Sequence, residues 1–186
     1  MAIFPKQPTI EVDLERILLT NEQIQTRLKE LGATITAYYR QRDVNTITLV
    51  CITNGSIVFV ADLMRYFDMH VRLDSMRISS YLEGTSASRK PQLAADISLD
   101  IRNEHVLVLD DILDTGHTLT KVLDVLGGKA PASVEVCVLL DKKERREVPI
   151  QANFVGFEIP NAFVVGYGLD FDQKYRNLAC IGVLKH

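Results

Sequence analysis

Apolar and polar positions along the chain fall into blocks with two different periods. Residues 46–52 (TITLVCI), the run leading to Asp110–Asp111, and Val134 to Leu140 are short and nearly continuously apolar, as expected of strands buried on both faces. Between them lie helical patterns. Thr20 or Asn21 can cap a helix with Glu22 and Gln23 in its first turn and Ile24, Leu28 and Leu31 on one face; Gly32 is expected to interrupt it before it resumes through Tyr38–Tyr39. A second helix is predicted from Ser56 to about Phe67, after a sharp loop at Thr53–Gly55, and a third from the repeat Leu119, Val122, Leu123. Residues 70–78 alternate His70, Arg72 and Asp74 against Val71, Leu73 and Ser75, which predicts a strand with one exposed face. Ile97 to Ile101 reads as a short edge strand, Asn103–Glu104 as a turn, and Val155–Glu158, Phe163–Gly166 and Ala179–Leu184 as short strands. Residues 1–16 read as an irregular arm with a short segment around Val12 to Ile17, and LDFDQKYRNL after Gly168 as a loop with one helical turn. Residues 79–92, SSYLEGTSASRKPQ, are polar and aperiodic, and predict a mobile loop that could serve as a lid. Strands alternating with helices predict an α/β fold with a parallel sheet covered on both faces.

A chain of 186 residues with formal charge −3 fits one soluble domain, and no run of eighteen apolar residues predicts a membrane span. The start, MAIFPKQPTIEVD, has neither a hydrophobic signal core nor an Arg-rich transit pattern, so a cytoplasmic location is expected. Cys51, Cys137 and Cys180 sit in apolar runs and are expected as buried thiols rather than a disulfide or metal site. No long basic stripe exists to hold nucleic acid; the densest cluster, KKERR at 142–146, is expected to be a solvated loop at Lys143, Arg145 and Arg146.

The chemistry concentrates in residues 105–123, HVLVLDDILDTGHTLTKVL. A buried strand ends in Asp110–Asp111, and a glycine-centred turn supplies Asp114, Thr115, Gly116 and Thr118 before a helix begins. Backbone N–H groups around Gly116, the helix dipole and two threonine hydroxyls make a nest for a phosphate monoester at the sheet edge where α/β ligands bind. Consecutive strand residues face opposite ways, but a turn at the strand end can bring both carboxylates toward one ligand. Such carboxylates repel a bare phosphate; they suit a phosphorylated sugar, through its hydroxyls, bound with Mg²⁺.

At these residues the chain resembles the purine phosphoribosyltransferases, whose motif for phosphoribosyl pyrophosphate (PRPP) is an acidic pair followed by DTGHT. Further matches at ITNGS 52–56, SSY 79–81, LLDK 139–142 and VGFEIPNAFVVGYGLDFDQKYRNL 155–178 resemble the branch acting on 6-oxopurines, over roughly residues 10–184. The resemblance implies a type I phosphoribosyltransferase fold in a single domain, residues 1–186, with a core of about 40–165 and a small hood from both chain ends. It implies PRPP, hypoxanthine, guanine and pyrophosphate as ligands, Mg²⁺ as cofactor, no membrane or nucleic-acid partner, and a homodimer or homotetramer.

The resemblance also implies roles. Asp110 and Asp111 accept from the ribose hydroxyls or hold metal-bound water, Asp110 standing where the family usually has Glu. Asp114 lies beneath purine N7 and takes or shares its proton. Thr115, Gly116, His117 and Thr118 cradle the 5′-phosphate, His117 through its backbone N–H. Thr53, Asn54 and Gly55 form a loop whose N–H groups bind pyrophosphate, in the family often with a cis non-proline peptide; a lysine often stands where this chain has Asn54. Lys142 donates to the purine 6-oxo group, a donor-only contact that adenine cannot answer. Phe163 stacks on the base, although a lone Phe in such a pattern equally suits core packing. The carbonyls of Val164 and Asp170 accept from the guanine amine, Asp170 also coordinates a second magnesium, and Arg176 forks onto pyrophosphate. Ser80 and Tyr81 belong to the loop that closes over PRPP. Alternatives are a xanthine-preferring or pyrimidine enzyme, a catalytically silent homologue, and a non-catalytic RNA-binding regulator with this fold. Lys142, Phe163 and the VGYGLD block weigh against the pyrimidine case, and the scattered basic residues against RNA.

Overall fold

The computed structural model describes residues 9–82 and 89–185, and the elements named below are those of the described residues. In chain order they are a 3-10 turn at Thr9–Asp13, β1 (Leu14–Leu19), α1 (Asn21–Arg40), β2 (Thr46–Thr53), α2 (Ile57–Leu63) with a 3-10 turn at Met64–Tyr66, β3 (His70–Leu82) and β4 (Arg89–Ala95). There follow β5 (His105–Leu113), α3 (His117–Gly127), β6 (Ser133–Asp141), a 3-10 turn at Lys143–Arg145, β7 (Phe154–Glu158), β8 (Val164–Val165) and β9 (Ile181–Leu184).

Six strands form one sheet in the order β4-β3-β2-β5-β6-β7. All neighbours are parallel except β3 and β4, which pair antiparallel. Side chains alternate across it. Leu49 and Cys51 of β2 and Leu107 and Leu109 of β5 pack with α1 and α2, while Val50, Ile52, Val106 and Val108 pack with α3 on the opposite face. Each fully buried aliphatic side chain of this kind contributes roughly 1.5–3 kcal/mol, which is why the strands read as unbroken apolar runs. β1, β9 and β8 make a second, antiparallel sheet from both ends of the chain. It shares the α1/α2 core cluster through Leu19, Val164, Tyr167, Leu169, Ile181 and Val183.

Thr20 is the N-cap of α1: its hydroxyl accepts from Gln23 N–H at 3.3 Å, and the Gln23 side chain accepts from Thr20 N–H at 2.9 Å. The expected interruption at Gly32 does not occur. A Cβ there would lie 2.6 Å from the Tyr66 Cβ, so the glycine serves close packing of the helix rather than a break. Tyr39 is fully buried and its hydroxyl donates to Glu135 at 3.0 Å, which places it in the core of the single chain.

Several expectations are corrected. Residues 97–101 are not a strand: the N–H groups of Ser98 and Leu99 donate to the Asp74 carboxylate at 2.7 and 2.8 Å instead of to a ladder, and Ile97 and Ile101 are apolar because they fill the α3 cluster. Residues 79–82 and 89–92 are not an irregular loop but the arms of the β3–β4 hairpin, with Ser80 opposite Pro91 and Tyr81 opposite Lys90; the rest of the predicted lid, residues 83–88, lies outside the described residues. β5 does not end at Asp110–Asp111 but continues to Leu113, because β6 keeps pairing after β2 stops at Leu109. The segment after Gly168 has no helical turn; its backbone folds through bridges at Gly166–Leu169 and Phe171–Lys174. Cys51, Cys137 and Cys180 are buried free thiols, as expected. No helix among the described residues is long and apolar enough to cross a membrane.

Candidate active site

The carboxyl ends of the parallel strands β2 and β5 open onto a cleft of about 410 Å³, lined by Thr53–Gly55, Asp110, Asp111, Asp114–Gly116, Thr118, Asp170 and Arg176. That is the position and size of a small-ligand site in an open α/β sheet. β2–β5 pairing ends at Cys51–Leu109, so beyond that rung the two strands part and the Asp110–Asp111 segment forms the cleft floor. The Thr53–Asn54 peptide is cis, and Asn54 is exposed.

Asp110 is buried and Asp111 half-buried on the cleft floor. Burial, then repulsion from Asp111, pushes the Asp110 carboxyl well above the ordinary carboxylate range. Burial also raises Asp111, although hydrogen bonds from Asp110 and the Ile112 N–H, and the charge of Arg176, work against it. Burial penalises negative charge on both, a penalty that donated ribose hydroxyls or a hard divalent cation would offset. Among the described residues no three His, Cys, Asp or Glu side chains gather into a self-sufficient metal cage.

Gly116 is the N-cap of α3 with φ 95°, and no side chain caps the helix there. The first N–H groups of α3 therefore face the cleft edge without a side-chain partner of their own cap, the arrangement of an anion nest. A Cβ on Gly116 would come within 2.6 Å of Ile150 and 2.7 Å of Val148. Gly116→Ala thus combines a left-handed conformation, costing about 1–2 kcal/mol for an L-residue, with a clash. We expect a melting temperature lower by several degrees and a KM for PRPP at least tenfold higher by steady-state kinetics; an unchanged KM would remove this loop from phosphate binding. His117 points away, its Nε2 2.9 Å from Glu147, which leaves its backbone as the part available to the nest.

Asp114 and Lys142 are brought together by the ends of β5 and β6: Lys142 N–H donates to the Leu113 carbonyl at 3.0 Å. Lys142 is only 7% exposed, and burial lowers its ammonium below the ordinary lysine range, with Asp114 countering and Arg145 reinforcing the shift. The reading of its neighbours as solvated holds for Lys143 and Arg145 and needs correction for Arg146. Arg145 Nε donates to the Asp114 carboxylate at 3.1 Å, while Arg146 donates to the Asp114 carbonyl at 3.0 Å and pairs with the buried Asp141 carboxylate. Lys143, paired with Glu158, and Arg145 are exposed, as expected, and Arg146 is the half-buried exception. Sequence reasoning missed the two arginines because a charged run betrays no partner some thirty positions away; their one signal was closeness to Lys142 at a strand end.

Phe163 is 51% exposed and meets Phe171 edge-on at 5.6 Å, which contradicts its reading as core. Val164 is buried opposite Val183 in the small sheet. Asp170 and Arg176 form an ion pair at 2.7 Å, and Arg176 also donates to the Gly168 carbonyl at 2.8 Å. Gly168, at φ 103°, lies so close to the Gly55 carbonyl that a Cβ would collide with it, and a Cβ on Gly55 would collide with the Asp111 carboxylate. Three segments distant in sequence therefore meet at Gly55. The backbone of Ser80 and Tyr81 lies on β3, paired with Pro91 and Lys90 of β4.

A family model for the phosphoribosyl transferase domain matches residues 20–172. The chain is 42% identical over 166 residues to the hypoxanthine phosphoribosyltransferase of Haemophilus influenzae, covering 89% of this chain and 93% of that one. It is 45% identical over 175 residues to the hypoxanthine-guanine phosphoribosyltransferase of Staphylococcus epidermidis, covering 93% and 95%. Among solved structures it is similar to a hypoxanthine phosphoribosyltransferase from Staphylococcus aureus, with TM-score 0.90, 41% identity and 97% of each chain covered. It is also similar to the Trypanosoma cruzi hypoxanthine phosphoribosyltransferase in a ternary complex with substrates, with TM-score 0.87, 41% identity and coverage of 94% and 97%. An acidic pair, a phosphate nest and a buried lysine at one sheet edge, in a chain alike over nearly its whole length to these enzymes, have one account: the chain belongs to the phosphoribosyltransferase family, in its hypoxanthine-guanine branch.

Proposed function

We infer that this protein transfers the 5-phosphoribosyl group of PRPP to N9 of hypoxanthine or guanine, giving IMP or GMP and pyrophosphate. The observation that carries the reading is the single cleft in which a capless helix N-terminus, a buried carboxyl pair and the Asp170–Arg176 pair face one another. PRPP has a complementary part for each. The N–H groups of Thr115 to Thr118 and the two threonine hydroxyls hold the 5′-phosphate. Asp110 and Asp111 take the ribose hydroxyls, and Thr53–Gly55 with Arg176 takes pyrophosphate. The base lies against Phe163, with Lys142 donating to its 6-oxo group and the Val164 and Asp170 carbonyls accepting from the amine of guanine. Ser80 and Tyr81, where the β3–β4 hairpin leaves the sheet, belong to the cover over PRPP.

As N9 forms its bond to C1′, the bond from C1′ to the pyrophosphate oxygen breaks. The developing positive charge sits on the ribose ring and the negative charge on the leaving group. Asp114 takes or shares the N7 proton, and Arg145 and Arg146 hold that carboxylate and its loop in place. With a cation offsetting their burial, the nearby carboxyl pair would carry the negative charge that stabilises the ribose electrostatically. Asp110, Asp111 and Asp170 would hold Mg²⁺, which would supply neutralisation of the pyrophosphate charge. The protein acts as one domain, a core capped by the sheet of both chain ends, in a homodimer or a tetramer of dimers.

Incubation with PRPP, hypoxanthine and Mg²⁺ tests the reading: IMP and pyrophosphate should appear in equal amounts, and thorough chelation should abolish both. Activity surviving chelation would remove the divalent cation from the account, and pyrophosphate released without IMP would make the protein a hydrolase of PRPP.

A further inference from the structure

A polar cluster outside the cleft joins α1, α2 and the small-sheet segment that carries Asp170 and Arg176. The Tyr167 hydroxyl donates to the Asp62 carboxylate of α2. Gln25 of α1 donates to both, at 3.0 Å to Asp62 and 3.0 Å to the Tyr167 oxygen, and accepts from Tyr66 at 3.3 Å. Arg65 also pairs with Asp62. Tyr167 is 2% exposed. Although burial alone would push Asp62 up, the hydrogen bonds from Tyr167, Gln25 and Arg65 hold its carboxyl below the ordinary range, so it is a charged acceptor at neutral pH.

The cluster has a direct line to the cleft on both sides. Tyr167 lies between Gly166 and Gly168, all three with left-handed backbones. Its next residue is bound twice to Arg176, Gly168 N–H donating to the Arg176 carbonyl at 2.9 Å and the Arg176 guanidinium donating back to the Gly168 carbonyl at 2.8 Å. The same Gly168 abuts Gly55. α2, which carries Asp62, begins at Ile57, two residues after that glycine. One side of the cleft wall is thus Thr53–Gly55 running into α2, the other is Gly168 with Arg176, and the Tyr167–Asp62 hydrogen bond joins the two behind their contact.

Resting on the assignment of these two segments to pyrophosphate, we propose that Tyr167, Asp62 and Gln25 are positioning residues for the pyrophosphate half of the PRPP site, setting Arg176 against the Thr53–Gly55 loop. The Tyr167 ring alone would fill the core as phenylalanine does. Its hydroxyl, donated to a carboxylate fixed by two further donors, adds a defined register between the segments that ring packing does not supply.

The proposal is tested with Tyr167→Phe, Asp62→Leu, Asp62→Asn and the Tyr167→Phe/Asp62→Leu pair in the full-length protein. The measurements are KM for PRPP, KM for hypoxanthine, kcat, melting temperature and pyrophosphate binding by calorimetry. Tyr167→Phe and Asp62→Leu should each raise KM for PRPP and weaken pyrophosphate binding about tenfold, with KM for hypoxanthine within twofold of wild type. Asp62→Asn, which keeps an acceptor for the hydroxyl, should restore most of the loss, and the double variant should be no worse than the poorer single one. An unchanged KM for PRPP in Tyr167→Phe, or equal rises in both KM values with a falling melting temperature, overturns the proposal and leaves the cluster as ordinary core. Wild type that forms no nucleotide defeats the assigned reaction instead, so the two failures are distinct.

Discussion

Replacing Asp114 with Asn is expected to lower kcat roughly a hundredfold, the lower end of what a positioned acid or base contributes, while KM for PRPP changes by less than about threefold. The geometry sets both parts. Asp114 heads the loop before α3, within the cleft, and Arg145 and Arg146 fix its carboxylate and carbonyl. The residue acts on the purine proton, an interaction that strengthens only as N9 attacks, so its loss belongs to the transition state and not to ground-state binding. Its side chain is 37% exposed, and water can share the work, which keeps the loss at the lower end. Steady-state kinetics with hypoxanthine decides the matter: equal losses in kcat and PRPP affinity, or none in kcat, would make Asp114 a loop-capping group.

Lys142→Gln should cut kcat/KM for hypoxanthine roughly ten- to a hundredfold, the equivalent of losing a hydrogen bond to a charged group of about 1.5–3 kcal/mol. At the same time discrimination against adenine should relax, because glutamine presents an acceptor as well as a donor. The burial of Lys142 and its position beside Asp114 separate it from the exposed Lys143. Melting temperatures of wild type and variant, measured alongside, separate a lost contact from unfolding. Rates for both bases at saturating PRPP test the contact; an unchanged hypoxanthine-to-adenine ratio refutes it.

The parts of the fold legible in the sequence are those governed by local pattern. β2, β5 and β6 are buried on both faces and so appear as apolar runs, and the Thr20–Gln23 box and the Gly116 turn carry their own residue signatures. What the pattern concealed depends on distant partners. Ile97 and Ile101 look like strand residues because burial, not pairing, makes them apolar, and Asp74 takes up the backbone donors beside them. The hairpin arms at 79–82 and 89–92 look like a loop because a polar edge has no apolar period to display. The same blindness applies in the cleft. DTGHT announces a phosphate nest by itself, but the pairing of Arg145 with Asp114 and of Tyr167 with Asp62 spans 31 and 105 positions, and no local spacing encodes either. Phe163 shows the converse: its residue type suits a core, and only its exposure beside Phe171 frees it for a ligand.

The most direct measurement is nucleotide formation from PRPP and Mg²⁺ with each of hypoxanthine, guanine, xanthine, adenine and uracil, followed by product identification. The account predicts IMP from hypoxanthine and GMP from guanine, each with one pyrophosphate, little product from adenine and none from uracil. A protein that forms no nucleotide from any 6-oxopurine would contradict it.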